Sequence, residues 1–132
     1  MNPTNTEYLL KKYPKIFVQH KLPMSQTAMC WGFECGDGWL AIIDVLCGLI
    51  QWRCDELQKK GDDFQVEATQ VKEKFGGLRF YTNYEDEFIF HMIEFAEEMS
   101  YHVCEVCGTT KDAEVNKTGW LSTRCPQCRK ED

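Results

Sequence analysis

The stretch FQVEATQVKEKFGGLRFYTN, residues 64–83, decides the fold class of this chain. Phe64, Val66 and Ala68 alternate with Gln65 and Glu67, the period of two that marks a strand with one buried face. The pattern runs on toward Lys74 across a bulge expected near residues 69–71, and a second strand covers 78–83. Gly76-Gly77 supplies the positive φ angles of a two-residue primed turn, so the stretch reads as a β-hairpin. That turn pairs Phe75 with Leu78, Lys74 with Arg79, Glu73 with Phe80 and Lys72 with Tyr81. Val71, Phe75, Leu78 and Phe80 then share one face, and Lys72, Lys74, Arg79 and Tyr81 the other.

Helical periodicity flanks the hairpin on both sides. Upstream, Trp39, Ile43, Leu46, Cys47, Ile50, Cys54 and Leu57 recur at helical spacing as far as Lys60, with Asp37 read as the N-cap and Gly61 as the stop. Downstream, residues 85–101 carry Phe88, Ile89, Met92, Ile93, Phe95, Ala96 and Met99 as a broad apolar face, with acidic residues in the first turn and on the outer surface. A shorter amphipathic helix is expected over 5–13, ended by Pro14. Residues 15–36 read as loop, with 29–35 either a short strand or a packed loop. The expected class is α+β: two long helices on one face of a small antiparallel sheet, forming a core over 1–101.

A zinc-ribbon-like segment is expected over 102–132. Cys104-Glu-Val-Cys107 and Cys125-Pro-Gln-Cys128 stand 17 residues apart, the spacing of two knuckles that give one ion a tetrahedral four-thiolate site. Gly108 and Pro126 suit the tight turns at the two knuckles. Ala113, Val115, Trp120 and Leu121 suit a hairpin between them. Four thiolates close the coordination sphere, so the expected cofactor is one structural zinc ion and not a hydrolytic centre. Cys47 and Cys54 lie on the apolar face of the long helix and read as small core residues, with a second metal site among Cys30, Cys35, Cys47 and Cys54 as the alternative.

The 132 residues are 43% hydrophobic and 13% aromatic, enough for one domain with a real core. The first thirty residues hold no apolar signal region, and the apolar run 39–50 is broken by Asp44 and too short for a bilayer. A soluble, cytoplasmic protein without a membrane partner is therefore expected. In that reducing setting, eight cysteines point to metal before disulfides. A net charge of −6 is the wrong sign for general nucleic-acid binding, so any anion contact must be local.

Charge is also unevenly placed. Lys72, Lys74 and Arg79 gather on one hairpin face with Tyr81 beside the Gly76-Gly77 turn, and like charges opposed across strands call for a compensating anion. Three sources fit: the acidic helix start at 85–87, a phosphate of a nucleotide or nucleic acid, or an acidic patch on a protein partner. No nucleophile–base pair, paired carboxylates or open metal position appears in the sequence. Asp37 reads as a helix cap, and no motif joins Cys30 or Cys35 to His20, so a non-enzyme is expected, with an enzyme of unknown class that depends on Asp37 or Cys35 as the remaining alternative.

The strings CGDGW (35–39), QVKEKFGGLRFY (70–81) and CEVCG (104–108), with Gly119-Trp120 before the last cysteine pair, resemble a group of small uncharacterised bacteriophage and prophage proteins. The resemblance covers most of residues 30–128. It implies a phage-type accessory protein acting by non-catalytic binding, such as inhibition of a host protein or defence effector. A host protein thus stands ahead of nucleic acid as the expected partner, with nucleotide capture at the hairpin as the alternative.

Overall fold

The computed structural model describes residues 1–130; Glu131 and Asp132, the end of the expected 102–132 segment, lie outside the described residues. The chain is α+β. Helices α1 (Pro3–Lys12), α2 (Leu40–Lys59) and α3 (Glu87–Ser100) accompany a sheet of β1 (Phe33–Glu34), β2 (Ala68–Lys74) and β3 (Gly77–Thr82). A second small sheet, β4 (Glu114–Val115) and β5 (Thr123–Arg124), precedes the short helix α4 (Pro126–Arg129). Among the described residues, no helix is long and apolar enough to cross a membrane.

The hairpin β2–β3 is antiparallel, and the bulge falls between Ala68 and Gln70 as expected. β1, however, joins β2 in parallel, pairing Phe33 with Val71 and Glu34 with Lys72, so the sheet is mixed. The connection between those parallel neighbours runs through α2, the crossover a parallel pair requires. Two residues are too few to show alternation, which is why the sequence left 29–35 undecided. β2 starts at Ala68 and not at Phe64. Glu67 still meets Asn83, its N–H donating to Asn83 Oδ1 at 2.9 Å, but Val66 and Gln65 are held to α2, through Val66 N–H on Cys54 Sγ at 3.5 Å and Gln65 Nε2 on Gln51 Oε1 at 3.1 Å.

The turn of the hairpin is Phe75-Gly76 and not Gly76-Gly77. Phe75 has φ 54° and Gly76 φ 84°, the paired positive angles of a type I′ turn. Lys74 therefore faces Gly77, Glu73 faces Leu78, Lys72 faces Arg79 and Gln70 faces Tyr81. The cause is tertiary: Gly77 lies beneath the ring of Tyr101, where a Cβ would sit 2.4 Å from Tyr101 Oη. Gly77 is thereby fixed as a strand residue and the turn moves one position back. Every partner shifts by two residues, so the inward and outward faces keep their composition, except that Phe75 leaves the inner face for the turn.

α3 packs against both α2 and β3, and one buried cluster joins Leu9, Ile16, Phe17, Trp39, Ile43, Ile50, Val71, Leu78, Phe80 and Ile89. Asp44, the charge inside apolar α2, is the latch for α1. Tyr8 Oη donates to its Oδ2 at 2.7 Å, Tyr13 Oη donates to its carboxylate and carbonyl, and Lys12 Nζ lies 3.0 Å from Oδ1. α3 begins at Glu87 because Asp86 is its N-cap: Oδ1 accepts from Ile89 N–H at 2.9 Å while Oδ2 accepts from Arg53 Nε at 2.8 Å.

Asp37 does not cap α2, which opens through a 3-10 turn at Asp37–Trp39 without a side-chain cap. Its Oδ1 instead accepts from Asn2 N–H at 2.8 Å and Asn5 Nδ2 at 3.1 Å, and so ties down the start of α1.

Candidate metal centre and hairpin face

Cys104, Cys107, Cys125 and Cys128 converge, their Sγ atoms all within 4.8 Å of one another. Tetrahedral Zn–S bonds of about 2.3 Å place sulfurs about 3.8 Å apart. The Cys107 and Cys125 sulfurs, 3.7 Å apart, already have that spacing. Gly108, at φ 81°, makes the return turn of the first knuckle, donating its N–H to Cys104 O at 2.9 Å. In the second, Cys125 is the N-cap of α4 with Pro126 at its first position, and Cys128 N–H points at Cys125 Sγ at 3.5 Å. β4 and β5 span the interval, and Glu105 N–H on Thr123 O at 3.0 Å joins the knuckle to β5.

The electrostatics fit a cation. Burial alone would raise the Cys104 thiol, yet N–H groups of Cys107, Cys125 and Val106 directed at its sulfur outweigh burial and bring it to about 6. Cys128 moves the other way, through desolvation and through its neighbouring thiols. Cys104 is thus the readier thiolate, and the thiols of Cys107 and Cys128 are raised beside it.

Among the described residues, this is the one His, Cys, Asp or Glu cluster close enough to hold a metal. Cys30, Cys35, Cys47 and Cys54 do not assemble a second. Burial pushes the Cys35 thiol up to about 12, and Cys47 is fully enclosed in the core.

The string GDG is the seat of the first knuckle. Gly38 N–H donates to Glu105 O at 2.8 Å, and Gly36 N–H to Glu105 Oε2 at 2.9 Å. Both glycines lie under the knuckle backbone, and a Cβ on Gly38 would stand 2.1 Å from Cys104 O. Trp39, fully buried, anchors the same strand of chain through Nε1 on Val103 O at 2.9 Å.

The four-cysteine segment in turn holds the hairpin tip. Thr123 Oγ1 donates to Gly76 O at 2.5 Å, while Leu78 N–H donates to Ser100 Oγ at 2.9 Å. Gly76 and Gly77 are accordingly buried, walled by Val115, Thr123 and Tyr101, and serve to seat the turn.

Lys72, Lys74, Arg79 and Tyr81 do share the sheet's outer face, but their charges differ in fate. Arg79 is taken by α3: its Nη1 lies 3.2 Å from Glu97 Oε1 and 3.2 Å from Tyr101 Oη. Its partner is therefore Glu97 and not the helix start at 85–87. Glu34 stands beside Lys72 on β1, with its carboxylate held by Gln70 Nε2 at 3.4 Å. Among the described residues neither Lys72 nor Lys74 forms an ion pair.

Two aromatic residues complete this face. Phe75, at the turn, is 65% exposed, and Trp120, on the loop between β4 and β5, is 86% exposed. With Leu121, Gly119, Lys72, Lys74 and Glu73, whose carboxylate accepts from Gly76 N–H at 2.8 Å, they line a groove of about 430 Å³ between the hairpin and the four-cysteine segment. From Lys72 and Lys74 the concavity continues over Gln70 and Tyr81. The sequence pattern marks the lysines and Tyr81 but puts Phe75 on the inner face and Trp120 in the hairpin of the ribbon. The positive φ at Phe75, which no local pattern announces, was the missing signal. Compared with known proteins, the chain matches no family model, no curated protein sequence and no solved structure.

Proposed function

We propose that this chain is a zinc-stapled, non-catalytic binding protein that captures a protein partner in the groove between its hairpin tip and its four-cysteine segment. The observation that carries it is Phe75. A phenylalanine at φ 54° occupies a site where glycine or asparagine is lower in energy, and a ring 65% exposed recovers little by burial. Its ring has Lys74 Nζ 5.6 Å from the centroid, a contact worth about 0.5–1 kcal/mol at an exposed site, and a residue held against its local preference for so small an internal return marks function. Phe75 and the still more exposed Trp120 are anchors of the kind that dominate protein interfaces, and Lys72 and Lys74 favour an acidic segment at their rim.

Zinc is the metal that four converging thiolates suit best, and its role is positional. It fixes β5, whose Thr123 holds Gly76 and so sets the angle at which Phe75 is shown. We further propose that the partner is a host protein of the bacterial cytoplasm, such as a defence effector, the expectation that the phage-type resemblance of the sequence strings raises.

The test is capture from nuclease-treated bacterial lysate by zinc-loaded wild type beside a Lys72→Ala, Lys74→Ala, Trp120→Ala variant of equal thermal stability. A protein retained stoichiometrically by wild type, released by salt and absent with the variant supports the proposal. Identical profiles for both proteins would overturn it. A second reading has its own support, because two exposed rings flanked by two lysines also suit stacked bases and phosphates of a single strand. Capture that vanishes on nuclease treatment, with quenching of Trp120 by an oligothymidylate, would favour that reading.

A further inference from the structure

A second surface lies on the opposite side of β3. The strand is at the sheet's edge, and the N–H of Leu78 turns away from β2 to reach Ser100 on the last turn of α3. In an antiparallel ladder alternate residues turn their backbone groups the same way, so those of Phe80 and Thr82 also point outward. Past Ser100, α3 leaves that edge uncovered: a cavity of about 700 Å³ opens between residues 79–82 of β3 and the helix. Its floor is Phe90 and Ile93, and its far wall is Glu94, Glu97 and Glu98. Arg79 already neutralises Glu97, whereas among the described residues neither Glu94 nor Glu98 forms an ion pair.

We propose that this cavity is a strand-addition site for an extended basic segment of a partner protein. Three features select that occupant over others. The outward backbone groups of Phe80 and Thr82 ask for an extended main chain, because only a strand presents donors and acceptors at matching intervals. The two carboxylates at Glu94 and Glu98 lie one helical turn apart, and favour arginine or lysine on one side of that strand. The apolar floor takes the alternate side chains. An acidic segment, such as the one proposed for the Phe75–Trp120 groove, is excluded by like charge, so the two surfaces are independent.

The test uses the zinc-loaded full chain and a short fluorescein-labelled peptide alternating arginine with valine, followed by fluorescence anisotropy. Binding should weaken by about tenfold or more with Glu94→Lys plus Glu98→Lys, two exposed positions whose exchange leaves thermal stability intact. It should weaken similarly when alternate peptide amides are N-methylated, which removes strand pairing and keeps every charge. Loss with the charge variant but not with methylation would overturn strand addition and leave only charge adsorption. No binding at millimolar peptide would also overturn it. So would concentration-dependent dimerisation that the charge variant abolishes, since the occupant of the edge would then be a second copy.

Discussion

Replacing Gly38 by alanine tests whether the GDG loop is the seat of the metal knuckle. The added Cβ would lie 2.1 Å from Cys104 O, 2.6 Å from Glu105 C and 2.7 Å from Glu105 O. All three are backbone atoms of Cys104 or of its neighbour Glu105, so no side-chain rotation relieves the contact and the knuckle must move. Overpacking of this kind costs about 1–3 kcal/mol. Loss of the Gly38 N–H bond to Glu105 O adds about 1 kcal/mol. A total of about 2–4 kcal/mol corresponds to a fall in Tm of about 8–16 °C for a chain of this size.

Gly48→Ala is the matched control. Its Cβ meets only Tyr13 Oη, at 3.5 Å, inside α2. Alanine there should raise stability by about 0.5–1 kcal/mol. Melting curves of the zinc-loaded proteins by circular dichroism read both changes, and a chromogenic chelator should strip metal faster from Gly38→Ala than from wild type. A Gly38→Ala protein that melts within a degree of wild type would refute the reasoning, as would equal damage from both substitutions.

Metal removal by chelation, or Cys104→Ser, should unfold the C-terminal segment, since four-thiolate binding contributes on the order of 10 kcal/mol. Hydrogen exchange should then show Thr123 and Gly76–Leu78 losing protection while α1 and α2 keep theirs; unchanged protection at the hairpin tip contradicts the coupling through Thr123. Asp44 offers a pH test. Burial raises its carboxyl, but donors from Tyr13, Tyr8 and Lys12 outweigh that and leave it below its ordinary value. Its contribution is therefore present above the unfolded value of about 3.9 and is lost as pH falls through the folded one. Asp44→Asn should lower the urea midpoint at pH 7 by an amount equivalent to about 1 kcal/mol and converge with wild type below pH 4, whereas parallel pH curves would exclude this role. Phe75→Asn should stabilise the fold by about 0.5–1 kcal/mol through relief of the left-handed angle and yet abolish partner capture. A variant that is more stable and still captures the partner would remove Phe75 from the binding face.

The sequence by itself determined the parts that follow from local periodicity and chelate spacing. Alternation over residues 64–83, helical recurrence from Trp39 to Leu57 and from Phe88 to Met99, and two Cys-x-x-Cys pairs each state their structure within a few residues. These fixed the α+β class, the hairpin with its bulge, the sharing of one face by Lys72, Lys74, Arg79 and Tyr81, and the four cysteines that converge where an ion could be held.

Only the tertiary structure decided what depends on elements meeting from a distance. The hairpin register turned on Tyr101 sitting over Gly77, and Arg79 passed over the nearby 85–87 cluster for Glu97 because α3 folds back along β3. Asp37 went to Asn2 and Asn5, and the glycines around it proved to be the platform for Cys104 and Glu105. The groove between Phe75 and Trp120 exists because a metal segment some forty residues beyond the hairpin returns to clamp its turn. Spacing along a chain reports which residues share a face or an ion, while which faces meet is set by packing, and packing is settled by the whole molecule at once.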